Sequence, residues 1–309
     1  MSYTTNIKNE ILNIDYPKSE QISELSAIFN INGEIEGDSI SLYTENIGVS
    51  RRIYKLLKDI FNIEISITKE EVNRLNKNYI IHMYLDKDVD KIVGTLDLVD
   101  SNNKRKYVPS NYICENMEEK KAYLRGAFLI CGSVNDPKTS RYHLEFIIEN
   151  EKTANYVNQL LLSLNFNSRV LKREKHYMVY LKESERISDF IKLLNAYNSL
   201  FYYEDIRIYR DHKNMTNRLN NCEQANIDKI VFSSNEQLEN IKKLREREDF
   251  ELIDDKIKEL CIYKEKYPES SMQELADIIS LETNSKITKS GINHRFRKIK
   301  EIVNREKKN

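Results

Sequence analysis

A duplicated segment constrains the fold of this chain more than any other feature. Leu25-Ser26-Ala27-Ile28-Phe29-Asn30-Ile31-Asn32-Gly33-Glu34-Ile35 and Leu124-Arg125-Gly126-Ala127-Phe128-Leu129-Ile130-Cys131-Gly132-Ser133-Val134 are both apolar helical stretches. Each has a small residue in its third position and a glycine at its end, where a helix stops. The segments downstream of the two glycines are parallel too. Leu42-Tyr43-Thr44-Glu45-Asn46 matches Phe146-Ile147-Ile148-Glu149-Asn150, and each leads into an amphipathic helix, at roughly 47–61 and 151–164. Two β-type runs come next in each copy: Ile63–Thr68 then Tyr79–Leu85, and Asn167–Lys172 then Tyr177–Leu181. A helix at about 183–195 closes the second copy, and 88–97 is its weaker counterpart. Each copy is therefore expected to run α-β-β-α-β-β-α, at an offset that stays near 100 positions. Two unrelated amphipathic helices would not keep that order behind them, so the pattern points to duplication. The expected body is a pseudo-twofold α+β domain over residues 1–205, with repeats at about 18–100 and 116–205.

These residues resemble the LAGLIDADG homing-endonuclease family. The resemblance implies two motif helices packed along a pseudo-twofold axis, with Ala27 and Gly126 as the small residues that let their backbones approach. It also implies paired sheets forming a saddle over duplex DNA, and an acid at the end of each motif helix that holds the metal. That acid immediately precedes the closing glycine. Here those positions hold Asn32 and Cys131, and two residues earlier stand Asn30 and Leu129. A hard divalent ion such as Mg²⁺ wants carboxylate oxygens, and a neutral amide or a thiol is a poor substitute. Without the ions, nothing activates water or stabilises the leaving oxygen of a phosphodiester. The expectation is no catalytic residue, no bound metal and no other cofactor. Glu34 and Asp136 lie near the motif ends, but their spacing differs between the copies, which argues against them as stand-ins.

The end of the chain carries a different pattern. Glu251–Tyr267 reads as a helix stopped by Pro268. Ser271 and Glu274 form a capping-box signature opening a short helix, Met272–Ile279. After a polar stretch, Ser290 is the expected cap of a third helix, from Gly291 to about Arg305, whose residues Ile292, Phe296, Ile299 and Val303 recur at helical spacing. The opposite side of that helix holds His294, Arg297, Lys298 and Glu301, flanked by Asn293 and Lys300, with Arg295 near the core boundary. Such a face suits the major groove of DNA, where these side chains meet base edges and phosphates. The first turn of a recognition helix points at the bases. Asn293, His294 and Arg297 are therefore expected to read sequence, and Lys286, Lys289, Arg295, Lys298 and Lys300 to contact phosphates, with Ser290 in the same turn. The bland reading is a solvated basic face. The gap before the third helix, longer than in a simple helix-turn-helix, looks like the extended variant of promoter-reading sigma-factor domains.

Charge supports the functional reading once it is taken locally. The 309 residues carry 49 basic and 49 acidic side chains, a net charge of zero. Yet Glu236–Glu282 holds fourteen acidic and eight basic residues, whereas Asn284–Asn309 holds nine basic and two acidic ones. Local sign matters more than the total for a polyanionic partner. Between the modules, 206–221 reads as a basic linker, with Arg207, Arg210, Lys213 and Arg218 either solvated or tracking a phosphate backbone. Residues 222–309 then form the expected all-α domain, with the helix-turn-helix at about 251–305. The four cysteines are scattered without a CxxC pair, which argues against a zinc site or a disulfide framework. No run of about 18 apolar residues exists, and Met1–Ile14 lacks the pattern of a secretory signal. A cytosolic, nucleoid-associated protein is expected, with no membrane and no small-molecule substrate.

Taken whole, the chain resembles one family, the bacterial sporulation regulator family WhiA. The residues that carry this are Lys8-Asn9-Glu10-Ile11, Ala122-Tyr123-Leu124-Arg125-Gly126-Ala127-Phe128, Gly132-Ser133-Val134-Asn135-Asp136-Pro137, and Asn217-Arg218 with Asn221-Cys222. The closing block Lys289-Ser290-Gly291-Ile292-Asn293-His294-Arg295-Phe296-Arg297-Lys298-Ile299 is the most specific. The resemblance implies a degenerate homing-endonuclease domain and a sigma-like helix-turn-helix that bind promoter DNA in sporulation, cell division or chromosome segregation. It brings RNA polymerase or a partner regulator into view as a protein partner, although no residue here marks such a contact. Two other readings compete: a nucleoid or division adaptor with nonspecific DNA affinity, and a residual metal-dependent endonuclease.

Overall fold

The computed structural model of the protein, which describes residues 2–72, 78–139 and 141–305, shows both copies of the repeat folded alike. A first helix, α1 (Tyr3–Ile11), precedes them. The first copy runs α2 (Lys18–Asn32), β1 (Glu34–Glu36), β2 (Ser39–Thr44), α3 (Ile47–Phe61), β3 (Ser66–Val72), β4 (Asn78–Leu85) and α4 (Val89–Thr95). The second runs α5 (Met117–Cys131), β5 (Gly132–Val134), β6 (Leu144–Ile148), α6 (Glu151–Ser163), β7 (Arg169–Lys172), β8 (Tyr177–Leu181) and α7 (Ser184–Leu193). Each makes a four-stranded antiparallel sheet of the same order, β1-β2-β4-β3 and β5-β6-β8-β7. The α+β duplication expected from the sequence is present.

Matching residues do matching work. Asn46 and Asn150 cap α3 and α6: each side-chain oxygen accepts two backbone N–H groups, of Gly48 and Val49 in one copy and of Lys152 and Thr153 in the other. Alternate strand residues turn inward, so Ile40, Leu42, Met83 and Leu85 are buried, as are Leu144, Phe146, Val179 and Leu181. The strand expected at Ile63–Thr68 is displaced to Ser66–Val72. Asn62 ends α3 in a left-handed conformation (φ 57°), and Ile63 turns into the core before pairing begins.

The motif helices α2 and α5 pack closely at Ala27 and Gly126. A Cβ on Gly126 would lie 2.2 Å from the backbone oxygen of Glu24 and 3.0 Å from the Ala27 Cβ, so only glycine permits this approach. Gly126→Ala is expected to cost about 1–3 kcal/mol, because backbone rather than a side-chain tip must give way. Urea unfolding checks it, and an unchanged midpoint would show that the helices separate freely. Gly33 and Gly132 close the two helices where expected. Gly33 (φ −80°) and Gly132 (φ −85°) are extended rather than left-handed. The chain passes straight from helix to strand, and a Cβ there would strike the carbonyl of Phe29 at 2.6 Å or the Phe128 ring at 2.3 Å.

At that crossing lies a buried ion network. The Glu24 carboxylate accepts from Arg52 Nε at 3.0 Å and Nη2 at 3.2 Å, and from Arg125 Nε at 2.8 Å. Arg52 also donates to the carbonyls of Leu12 and Ile14, and Arg125 lies 3.4 Å from the Tyr16 ring centroid. Glu24, Arg52 and Arg125 are all buried.

The remaining helices are α8 (Tyr197–Arg245), α9 (Asp255–Lys266), α10 (Met272–Thr283) and α11 (Lys289–Arg305). The chain divides into two compact units, Met1–Arg210 and Asp211–Asn309. Residues 206–221, read from the sequence as a linker, are instead the middle of the 49-residue α8. No glycine or proline interrupts that stretch, so its backbone hydrogen bonds form unbroken although residues 211–232 are exposed. Two of the arginines read there as either solvated or tracking a phosphate backbone are engaged within the first unit: Arg207 with Glu204 at 2.6 Å, and Arg210 with the Pro137 carbonyl at 2.6 Å. Among the described residues no helix is long and apolar enough to cross a membrane.

Candidate nucleic-acid interface and motif-helix cleft

The second unit encloses its own core, in which Ile241, Leu244, Ile257, Leu260, Leu275, Ile279, Ile292, Phe296 and Ile299 are buried. Its helix starts follow the sequence in one case and correct it in another. The capping box of α10 is present: Ser271 Oγ accepts from Glu274 N at 3.2 Å, and the Glu274 carboxylate accepts from Ser271 N at 2.8 Å. The helix runs on to Thr283, four residues past the expected end, and stops where Asn284 takes up the left-handed conformation (φ 50°). Its link to α11 is consequently the short segment 284–288. Ser280 Oγ pins that segment by accepting from Ile287 N at 2.9 Å. The cap of α11 is Thr288, whose Oγ1 accepts from Gly291 N at 3.2 Å. Ser290, the expected cap, lies one residue inside the helix with its side chain exposed.

With Ile292, Phe296 and Ile299 turned inward, α11 leaves His294, Arg297 and Lys298 exposed and Asn293 half-buried. Lys286, Lys289 and Lys300 are exposed around them. Lys300 meets Glu236 at 2.5 Å, a surface pair that contributes little and that a phosphate displaces easily. Arg295 departs from the expectation of a phosphate contact. It turns back onto α9, donating to the Lys256 carbonyl at 3.0 Å and to Glu259 at 3.1 Å, because its position on the helix faces the seam with α9. Glu306, Lys307 and Lys308, part of the basic end of the sequence, lie outside the described residues.

The first unit has a cleft of about 1430 Å³ at the ends of α2 and α5, with Lys8, Asn32, Tyr43, Arg105, Cys131 and Glu149 among its walls. Here the donor set can be tested for a divalent metal. The Asn32 amide oxygen accepts from Tyr43 N at 3.0 Å, and the Cys131 thiol donates to the Ala127 carbonyl at 3.2 Å. Burial pushes that thiol up to about 12, which keeps it protonated. Lys8, outside the repeat and missed by the sequence reading, brings its ammonium close to Cys131 and Glu45. Burial pushes it down to about 8, against the pull of those two neighbours. Glu34 lines the cleft but is exposed, and Asp136 is engaged with Lys138 N at 2.8 Å and the Tyr202 hydroxyl at 3.2 Å. No group of three or more acidic, cysteine or histidine side chains among the described residues is placed to hold a metal. The residues present do not fit a Mg²⁺ site.

The outward faces of the sheets also bear on nucleic-acid binding. By the strand register, the solvent side of β1-β2-β4-β3 carries Glu34, Glu36 and Glu70 and no lysine or arginine among the described residues. His82 on that side pairs with Glu70 at 3.0 Å. The second sheet presents Arg169 and Glu145 on either side of Tyr180, with Ile147 and Leu171 exposed.

Three family models match the chain: the WhiA N-terminal LAGLIDADG-like domain over residues 18–99, the WhiA LAGLIDADG-like domain over 120–213, and the WhiA C-terminal HTH domain over 216–303. The chain is 36% identical over 312 residues to the probable cell division protein WhiA of Oceanobacillus iheyensis, covering 100% of this chain and 98% of that one. Its counterpart in Enterococcus faecalis is 36% identical over 307 residues, covering 98% and 97%. The crystal structure of full-length DUF199/WhiA from Thermotoga maritima has the same fold, with a TM-score of 0.57 at 22% identity over 99% of this chain and 98% of that one.

Proposed function

Because the chain belongs to the WhiA family, we propose that it is a sequence-specific DNA-binding transcription regulator of cell division, chromosome segregation or sporulation, and that it does not cut DNA. The observation that carries this is the free face of α11. It is a capped helix seated on a core by one stripe, with Asn293, His294, Arg297 and Lys298 on the side away from it. In the proposed complex the first turns of α11 enter the major groove. Asn293, His294 and Arg297 meet base edges, while Lys286, Lys289, Lys298 and Lys300 neutralise phosphates. Ser290, exposed in the first turn, donates its hydroxyl to a DNA phosphate in that complex. Arg295 acts indirectly, by fixing α11 against α9.

The acidic face of the first sheet supports assigning the DNA contact to the second unit, since duplex DNA demands neutralised phosphates. The neutral ligands at Asn32 and Cys131 support the absence of cleavage. On this reading the protein works at the nucleoid, in the cytoplasm.

The decisive experiment incubates the full chain with fragmented host DNA and Mg²⁺, then sequences the bodies and ends of the bound pieces. Enrichment of a few intact promoter-like sites is expected, at least about 10³-fold over random DNA. Uniform recovery would favour the adaptor, and recurrent new ends at one position would mean that the cleft cuts. Substitutions then separate readout from affinity. Arg297→Ala is expected to cost about 1–3 kcal/mol and relax preference at one position, whereas Lys298→Ala weakens binding to all sequences and flattens the salt slope by about one. Equal loss on specific and random DNA for Arg297→Ala would remove it from the readout set.

A further inference from the structure

Both motif helices end at the cleft, lined by Ile31 and Asn32 of one and Ile130 and Cys131 of the other, and each such end carries the negative pole of its helix dipole. In a LAGLIDADG nuclease a divalent ion bound to the terminal acid lies there. In this chain each end meets a side chain from outside the duplicated elements. Arg105, on the loop between the copies, donates through Nη2 to the Phe29 carbonyl at 2.6 Å and the Gly33 carbonyl at 3.1 Å, at the end of α2. Lys8, on α1, lies with Nζ 5.7 Å from the centroid of the Phe128 ring, beside Cys131 at the end of α5, and Glu45 is the carboxylate it feels. All of these residues except Phe29 and Phe128 line the same cleft.

We propose that Arg105 and Lys8 are resident cations standing in for the two metal ions of the nuclease fold, one at each motif-helix end. Both charge and place point this way. Once an amide and a thiol replaced the acids, no metal was left to neutralise the two helix ends and the carboxylates Glu45 and Glu149. A guanidinium held on backbone oxygens and a half-buried ammonium supply that charge from within the chain. Arg105 has Nη2 committed to two backbone oxygens, which a metal would otherwise approach, while its Nη1 is buried without a hydrogen-bond partner. The two-fold problem is thus met by two unrelated residues, one before the first copy and one between the copies. A carboxylate reintroduced at Asn32 or Cys131 would pair with the resident cation before it could bind a divalent ion. The inference deepens, and rests on, the reading that this cleft does not cut DNA.

The test is Mn²⁺ binding by the full-length protein, followed by the electron paramagnetic resonance of the free ion. Two pairs are compared: Cys131→Asp with and without Lys8→Met, and Asn32→Asp with and without Arg105→Gln. Each single aspartate variant is expected to bind Mn²⁺ no better than the parent, and each double variant at least about tenfold tighter, the scale of relieving one like-charge contact. Equal affinity within both pairs, weak or tight, overturns the proposal. Only variants with a cooperative melt are compared, and if Arg105→Gln fails to fold, the Lys8 pair decides alone. DNA ends are sequenced on the same samples. Cutting by the parent protein would sink the non-cleaving reading, an outcome distinct from equal Mn²⁺ affinities.

Discussion

Glu24→Ala is expected to lower the stability of the first unit by about 3–5 kcal/mol, the cost of leaving buried charges without their counter-ion. Glu24 is the centre on which Arg52 and Arg125 converge, with contacts of 2.8–3.2 Å, and all three side chains are at most 3% exposed. Arg52 would keep the carbonyls of Leu12 and Ile14, and Arg125 would keep Tyr16 and a long contact to Glu20 at 3.5 Å. Neither set replaces a carboxylate. For a unit of this size the loss corresponds to a fall in melting temperature on the order of 10 °C. Glu24→Gln should lose less, since an amide oxygen still accepts from one arginine. Replacing Glu24, Arg52 and Arg125 together by methionine should recover most of the loss, because well-packed apolar groups avoid the desolvation of three charges. The check is calorimetry on the three variants. A fall below about 1 kcal/mol for Glu24→Ala would mean that water reaches the network and that it does not hold α2 against α5.

This network illustrates what the sequence could and could not reveal. The duplication was readable because periodicity, Asn46 and Asn150, and the paired glycines recur at offsets near 100 positions. Ala27 and Gly126 were readable because small residues in an apolar helix imply close packing, and there is no room for a Cβ on Gly126 against the Glu24 carbonyl. Glu24 and Arg125 look like solvent residues in the sequence, since charges are seldom buried and nothing local marks their pairing across the two copies. Arg105 left no pattern because its partners are backbone carbonyls. Lys8 had a weak signal: Tyr3, Ile7 and Ile11 recur every four residues and mark α1 as an amphipathic helix beside the cleft. The middle of α8 was misread because a polar stretch without an apolar stripe resembles a linker. Its lack of glycine and proline was the contrary sign. On α11, the apolar stripe gave the free face directly. The role of Arg295 depended on which side packs against α9, and periodicity alone leaves that undecided.

Phe296→Ala is expected to be the most damaging change for DNA binding, through stability rather than contact. Phe296 lies on the inward stripe of α11, one residue before Arg297, and packs into the core that joins α9, α10 and α11. Truncating a buried phenylalanine to alanine costs about 3–5 kcal/mol, a large share of the roughly 5–15 kcal/mol that holds a typical domain. Few large side chains share the load here: the other buried residues of this core are aliphatic, apart from Cys261. The α10–α11 pair would lose its fixed angle, and the cations of α11 their common direction. DNA affinity should fall by more than for Arg297→Ala or Lys298→Ala, on specific and random sequences alike. Phe296→Leu keeps most of the volume and should lose only about 1 kcal/mol. Thermal melting followed by circular dichroism should show an early transition for the second unit while the first unit melts as in the parent protein. If Phe296→Ala melted early yet bound DNA undiminished, the DNA contact would have to lie on the first unit, and the recognition role given to α11 would fall with it.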